Sequence, residues 1–125
     1  TVLRIARAGL GHLVAPHGVY ACTSQKEEFG VALLEAMATG LAVVAPDAGG
    51  PATYVQEGLT GSLADTSSIE DVRAALRRAA AARADEPRAR RTANLVRSHY
   101  TIETMAASLA TVYTDVAREP AQVAA

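Results

Sequence analysis

The sequence has a single cysteine, few aromatic residues and no excess of charge of either sign. Cys22 has no second cysteine with which to form an internal disulfide, so we expect a small buried thiol in a reducing compartment. Twelve lysines and arginines oppose 13 aspartates and glutamates, which leaves no basic field to attract nucleic acid or an anionic membrane. Nucleic acid is therefore not expected as a partner.

Long apolar runs and targeting signals are also missing. No stretch approaches the roughly 20 apolar residues that cross a bilayer, and residues 1–13 lack the features of a signal peptide. We therefore expect no transmembrane segment and a cytoplasmic location. The length of 125 residues, half of them hydrophobic, fits one domain with its own core. Because the chain starts at Thr1 in helix-like register, we expect it to continue a longer protein.

Several familiar catalytic and binding motifs do not occur. The histidines have no metal-ligand spacing, so no metal site is predicted from His12, His17 and His99. There is no G-x-S-x-G nucleophile elbow, which argues against a Ser-His-Asp hydrolase. Neither a G-x-G-x-x-G nor a P-loop motif is present, which argues against a dinucleotide oxidoreductase or a P-loop NTPase.

The first half of the chain alternates strand and helix signals. A β-branched and aromatic run predicts a buried strand over 19–23, and residues 31–39 predict a helix that Gly40 ends. The apolar run 41–46, bounded by glycine and proline, predicts a strand covered on both faces. A short helical turn near 52–56 and a strand near Ser62–Ala64 follow. Strand, helix, strand at this spacing favours a parallel sheet.

The second half is helical. Ser68 is a plausible cap for a helix that places Ile69, Val72 and Leu76 on one face and that Pro87 ends. Further helices are predicted over 88–99 and 102–118, and residues 3–13 also have helical spacing. We therefore predict an α/β fold, a Rossmann-like parallel sheet with flanking helices and a helical C-terminal segment. One domain covers 1–118, with a frayed tail at 119–125.

A carboxylate in the predicted helix 31–39 needs an explanation. The helix is apolar on all sides, so both faces must be covered by sheet, by another domain or by ligand, and a buried Glu35 is costly unless it is paired. Glu35 either benefits from the helix macrodipole, or pairs with an arginine such as Arg4 or Arg7, or binds a ligand.

Residues just before this helix favour the ligand. Glu27 lies eight positions before Glu35, at the carboxyl end of a predicted parallel strand, where ligands bind in open α/β sheets. Gly30 allows close backbone approach, and the N–H groups of Gly30, Val31 and Ala32 would face an anion such as a diphosphate. Carboxylates on either side suit the hydroxyls of a ribose and a hexose, so the pattern describes a nucleotide-sugar site.

The pattern S-x-x-E-x-F-G-x-x-x-x-E-A-M-A-x-G, followed in order by VVAP, GG and EGLTG, spans Ser24 to Gly61. It strongly resembles the C-terminal, donor-binding half of the retaining family 4 glycosyltransferases of the GT-B fold. The resemblance runs through most of the chain and is weakest over 1–17 and 79–97.

The resemblance implies a role for each matching residue. Glu27, the catalytic residue, would contact the transferred hexose, and Glu35 would hold the ribose hydroxyls. Backbone N–H groups of Phe29, Gly30 and Val31 would bind sugar hydroxyls and the diphosphate. Gly49 and Gly50 would lie at the edge of the site, and Glu28 would be solvated. This chain departs from the family pattern at Thr53, where the family often has glutamate.

The resemblance also implies a reaction and what the chain lacks. A hexose would pass from a nucleotide diphosphate sugar, the substrate, to an acceptor hydroxyl with retention, without metal or cofactor. An N-terminal acceptor-binding domain or subunit and a basic Arg and Lys pair would lie outside this chain, which alone would be inactive.

The pattern from Tyr100 to Tyr113 would lead into a helix that packs toward that domain, or is a plain amphipathic helix. The alternative function is a non-catalytic nucleotide-sugar-binding or interaction module.

Overall fold

The computed structural model describes residues 17–118, which form a three-stranded parallel sheet with helices on both faces. The α/β class and the parallel sheet predicted from the sequence are confirmed. The stretch 3–13 with mixed helical spacing, the tail at 119–125, and Arg4, Arg7 and His12 lie outside the described residues. In chain order the elements are β1 (Val19–Ala21), α1 (Val31–Ala38), β2 (Ala42–Pro46), α2 (Pro51–Tyr54), β3 (Ser62–Ala64), α3 (Ile69–Ala82), α4 (Glu86–His99) and α5 (Ile102–Arg118).

Strand β2 lies at the centre of the sheet, between β1 and β3, and pairs in parallel with both. All five of its residues are buried, as the short apolar run predicts. Because side chains alternate along a strand, Val43 and Ala45 enter one core, whereas Ala42 and Val44 enter another on the opposite face. The centre of the sheet is therefore covered on both sides.

The first core contains α1 and α4. Leu33, Leu34 and Met37 of α1 are buried against β2 and against Val96 of α4. The predicted start of α1 at Val31 is confirmed, and Gly40 follows its end with φ of 81°, a left-handed conformation that suits glycine. The outer side of the first turn is not covered by the described residues, since Val31 is 52% exposed. Of the three covers expected for this helix, the sheet therefore supplies only one, and another domain or a ligand remains the expected cover for the first turn.

The second core shows that the buried face of α3 differs from the one predicted. Ser68 caps this helix as expected, because its hydroxyl accepts the backbone N–H of Asp71 at 3.2 Å. Ala75 and Ala79 are buried against the sheet, and of the three predicted residues only Val72 packs there, partly buried, whereas Ile69 is 80% exposed and Leu76 is also exposed. The small side chains let the helix backbone lie close to β2 and β3, a preference that hydrophobicity alone does not reveal.

Two further boundaries differ from the predictions. β1 ends at Ala21 instead of residue 23, and it is half-buried to exposed because the described sheet pairs it only with β2. Pro87 does not end α3 but lies in the first turn of α4, where its missing N–H costs no hydrogen bond. The cap of α4 is Asp85, whose carboxylate accepts the N–H of Arg88 at 3.0 Å.

Arg88 ties the turn between α3 and α4 to the start of β2. Its guanidinium is buried and donates to the carbonyls of Ala82, Leu41 and Gly40 at 3.2, 3.0 and 3.0 Å. Burial lowers the pKa of Arg88 from its usual value, although guanidinium stays charged at any physiological pH. Two segments, the end of α3 and residues 40–41 before β2, therefore share one donor group.

We expect Arg88→Ala to lower the free energy of unfolding by about 3 kcal/mol, because buried carbonyls lose charged donors. Urea denaturation checks this value. Arg90→Ala is the matched control, since Arg90 forms only an exposed ion pair with Glu86 and should cost less than about 0.5 kcal/mol. Equal effects of the two substitutions would contradict the role given to Arg88.

Helix α5 has the predicted bounds but contacts the rest of the domain mainly at its start. None of its residues is buried in the part of the chain that the structure describes. Its apolar positions follow helical spacing and are all at least 45% exposed: Ile102, Met105, Leu109, Val112 and Val116. Within residues 17–118, no helix is long and apolar enough to span a membrane.

Candidate functional site

The candidate site is the segment 22–30 that connects the carboxyl end of β1 to α1, which we call the donor loop. It ends at Gly30, the residue that caps α1 with φ of 86° and no side-chain acceptor for the N–H groups of the first turn. Both Val31 and Ala32 are exposed there. The helix therefore starts at an accessible surface with its positive dipole end and its first N–H groups available to an anion.

The glycine pair is packed directly against the donor loop. The N–H of Gly50 donates to the carbonyl of Glu27 at 3.3 Å. A Cβ on Gly49 would lie 2.3 Å from that same carbonyl oxygen, and one on Gly50 would lie 2.2 Å from the carbonyl oxygen of Glu28. Only residues without a side chain allow two backbone segments to approach this closely. The pair thus both makes the turn after β2 and supports the donor loop.

Tyr54, which belongs to no motif identified in the sequence, contacts the donor loop from α2. Its hydroxyl donates to the carbonyl of Phe29 at 2.7 Å, with the carbonyl of Gly30 at 3.2 Å. Burial, together with the negative charge of Glu27, raises the pKa of Tyr54 above its usual value. The hydroxyl therefore stays protonated and able to donate throughout the physiological range.

Three rings form an aromatic cluster beside the loop, defined by Phe29, Tyr54 and Tyr100. Ring centroids are 6.0 Å apart for Phe29 and Tyr54, 6.4 Å for Phe29 and Tyr100, and 5.6 Å for Tyr54 and Tyr100. Such edge and tilted geometries are the favourable ones for aromatic pairs. Because Tyr100 follows α4 directly, the cluster links the loop to the start of α5.

The two glutamates of the sequence motif are neither fully exposed nor fully buried. Burial raises the pKa of Tyr20, and the negative charges of Glu27 and Glu35 are among the further causes. Glu27 and Glu35 are each half-buried, whereas Glu28 is exposed, as predicted. The expected pairing of Glu35 with Arg4 or Arg7 involves residues outside the described range.

The thiol of Cys22 also belongs to this region. Its sulfur lies 3.9 Å from a carboxylate oxygen of Glu27, within reach of a weak S–H hydrogen bond. Cys22 directly follows the last residue of β1 and packs against the first core. The small thiol that was expected to be buried is therefore only partly buried.

The site does not resemble a metal centre. Across residues 17–118, no group of three or more histidine, cysteine, aspartate or glutamate side chains is arranged to hold a metal ion.

The EGLTG turn is structural, since Thr60 is buried and a Cβ on Gly61 would lie 2.5 Å from a methyl group of Val43. The structure thus gathers the motif residues that precede this turn around one loop: Glu27, Phe29, Gly30, Val31, Ala32, Gly49 and Gly50.

Two solved structures share the architecture of this chain. Sucrose-phosphate synthase from Thermosynechococcus elongatus matches 92% of this chain with a TM-score of 0.81 and 25% identity. HepE from Anabaena, in a crystal structure with UDP and glucose, matches 82% with a TM-score of 0.67 and 26% identity. This chain covers 29% of each of those chains. Its fold is that of the C-terminal portion of a GT-B glycosyltransferase.

The chain belongs to the family described as glycosyl transferases group 1, whose family model matches residues 4–95. It is 42% identical over 60 residues to alpha-maltose-1-phosphate synthase from Mycobacterium tuberculosis, which is 48% of this chain and 16% of that protein. It is 39% identical over 74 residues to D-inositol 3-phosphate glycosyltransferase from Nocardioides, or 59% of this chain and 16% of that protein. The chain therefore spans less than a fifth of these curated relatives.

Proposed function

We propose that this chain is the donor-binding part of an enzyme that moves a hexose from a nucleotide diphosphate sugar to an acceptor hydroxyl. The observation that carries this proposal is the exposed first turn of α1 at Val31 and Ala32, which follows the buried Gly30 and lies next to the half-buried Glu27. The relative named D-inositol 3-phosphate glycosyltransferase, and the UDP and glucose in the HepE structure, support the same reaction class. We further propose that the anomeric configuration is retained and that no metal takes part.

The diphosphate would bind at the start of α1. The N–H groups of Gly30, Val31 and Ala32 have no side-chain cap, so they can donate to phosphate oxygens. The helix dipole adds a partial positive charge at the same point. Because the diphosphate gains negative charge as the sugar departs, these fixed donors stabilise the transition state more than the bound substrate.

The two carboxylates would bind the sugars on either side of the diphosphate. An ionised glutamate accepts two hydroxyl hydrogen bonds at once, which matches the vicinal hydroxyls of a ribose or hexose. We assign the transferred hexose to Glu27, next to the anion-binding amides, and the ribose to Glu35, farther along α1. The exposed carboxylate of Glu28 has no assigned role.

The rest of the activity would come from outside this chain. Since it covers less than a third of its structural relatives, we propose that another domain or subunit binds the acceptor and supplies a basic pair for the diphosphate. The exposed apolar face of α5 is suited to pack against that domain. The 125-residue chain alone is then expected to bind a donor weakly and to catalyse little or no transfer.

Glu27→Gln in the protein as its gene encodes it should reduce kcat about 10²- to 10³-fold, the size of losing one well-placed transition-state contact. Donor affinity should change less than tenfold, because the amides and Glu35 remain. A radiometric transfer assay with UDP-, GDP- and ADP-hexoses measures kcat, and proton NMR of the product reports retention. Glu28→Gln is the control. A wild-type protein that transfers no hexose from any donor would contradict the proposed reaction.

A further inference from the structure

Tyr54 contacts the donor loop from a different element. It lies at the end of α2, 25 residues after Phe29, and its ring is buried beneath the loop in the aromatic cluster. Its hydroxyl has one proton, so the contact of 2.7 Å to the carbonyl of Phe29 is the main hydrogen bond. The carbonyl of Gly30, at 3.2 Å, is the weaker second acceptor.

These two carbonyls belong to the peptide units that carry the first N–H groups of the site. The Phe29 carbonyl shares a planar peptide with the N–H of Gly30, and the Gly30 carbonyl shares one with the N–H of Val31. The described chain contains no cis peptide bond, so in each unit the N–H points away from the carbonyl. The Gly30 carbonyl also accepts the N–H of Leu34 at 3.0 Å, so the first turn of α1 helps to fix its direction. The Tyr54 hydroxyl therefore mainly directs the N–H of Gly30 away from α2, and it reinforces the direction that the helix gives to the N–H of Val31.

We propose that Tyr54 is a positioning residue that orients the N–H group of Gly30, and reinforces the orientation of the N–H group of Val31, toward the diphosphate of the donor. This inference rests on the proposed function, since it takes the ligand at the start of α1 to be a nucleoside diphosphate. Tyr54 touches neither sugar nor phosphate in this arrangement. It acts through the backbone of the donor loop, which has no side-chain cap of its own at Gly30.

Residues around Tyr54 hold its hydroxyl against the backbone of the donor loop. A Cβ on Gly30 would lie 2.6 Å from the Tyr54 oxygen, so the hydroxyl can come this close to residue 30 only because that residue is glycine. The rings of Phe29 and Tyr100 pack against the Tyr54 ring and limit its rotation. The donor loop is thus held at two points. The Gly50 N–H donates to the carbonyl of Glu27, and the Tyr54 hydroxyl donates to the carbonyl of Phe29. Loss of the hydroxyl alone should loosen the loop without removing its packing.

The test is Tyr54→Phe, which keeps the ring and removes the hydroxyl. In the protein as its gene encodes it, we measure binding of UDP, GDP and ADP by calorimetry and binding of the matching nucleosides by NMR titration. For the best-bound nucleotide, we expect affinity to fall about five- to tenfold, as for one buried hydrogen bond. Affinity for its nucleoside should change less than twofold, because only the diphosphate meets the oriented amides. Tyr113→Phe, at an exposed position on α5, should leave both affinities unchanged.

Hydrogen exchange with nucleotide bound gives a second readout. Saturating nucleotide should slow exchange of the amides of Gly30 and Val31 several-fold less in Tyr54→Phe than in wild type, while the amides of β2 keep their protection. Equal losses for nucleoside and diphosphate, unchanged diphosphate affinity, an unchanged slowing of exchange at 30–31, or loss of the fold would each overturn the positioning role. If the wild-type protein binds none of the three diphosphates, the proposed function fails as well, which separates the two outcomes.

Discussion

Glu35→Ala is expected to weaken nucleotide-sugar binding about 100-fold. Two hydroxyl hydrogen bonds to an ionised carboxylate are lost, each worth on the order of 1.5 kcal/mol or more, and about 1.4 kcal/mol corresponds to a factor of ten. Glu35 is half-buried on α1, one turn beyond the exposed residues Val31 and Ala32. Titration calorimetry with UDP, GDP and ADP sugars measures the change.

The same variant can also show whether Glu35 contacts the ribose hydroxyls of the nucleotide. If Glu35 binds the ribose hydroxyls, wild type and Glu35→Ala should bind the 2′,3′-dideoxy form of the nucleotide with similar affinity. Glu28→Ala is a matched control, since Glu28 is exposed on the same loop and should bind the donor like wild type. If Glu35→Ala binds the ribonucleotide as well as wild type does, the ribose role of Glu35 is wrong.

Gly50→Ala is expected to cost about 3 kcal/mol of folding free energy and to abolish measurable donor binding. Gly50 has ordinary helical dihedral angles, with φ of -58°, so the backbone itself would accept alanine. The new methyl group would lie 2.2 Å from the Glu28 carbonyl oxygen and 2.6 Å from the Phe29 Cα. Because both obstacles are backbone atoms, the donor loop must move or the chain must unfold.

Gly58→Ala is the control for this substitution, because it has the opposite properties. Gly58 has φ of 72°, and a Cβ there would meet nothing within 4 Å, so only backbone strain of about 1 kcal/mol is expected. Chemical denaturation of both variants separates a steric cost from a conformational one. Should Gly50→Ala prove no less stable than Gly58→Ala, the close contact between the glycine pair and the donor loop would be disproved.

The sequence predicted those parts of the fold whose signals are local. The apolar run in β2 matches its burial on both faces, and the Ser68 hydroxyl caps α3 as its position suggests. The buried face of α3 was not predictable in the same way. Alanines and larger apolar residues alternate around that helix, and the close approach of the sheet selects Ala75 and Ala79 over Ile69. Packing distance, which no periodicity contains, decides the face.

In the candidate site, too, the features set by local sequence spacing were predicted, whereas those set by tertiary contacts were not. The residues from Glu27 to Glu35 lie within one loop and one helix, so their spacing was enough to place them together. Tyr54 was missed because its contact with Phe29 is tertiary and its own surroundings in the sequence carry no signal. The glycine pair was predicted as a turn, but its support of the donor loop depends on backbone approach across two loops. Support of a site is thus harder to predict than the site itself.

The central claim is that a nucleoside diphosphate binds where the donor loop meets α1. Hydrogen exchange with mass spectrometry, with and without saturating UDP, GDP or ADP, tests it most directly on the protein as its gene encodes it. At least one nucleotide should slow exchange of the backbone amides at 29–33, because those N–H groups then donate to phosphate oxygens. Exchange in α5, away from its start, should not change. Protection confined to other segments, with 29–33 unaffected by all three nucleotides, would contradict the account.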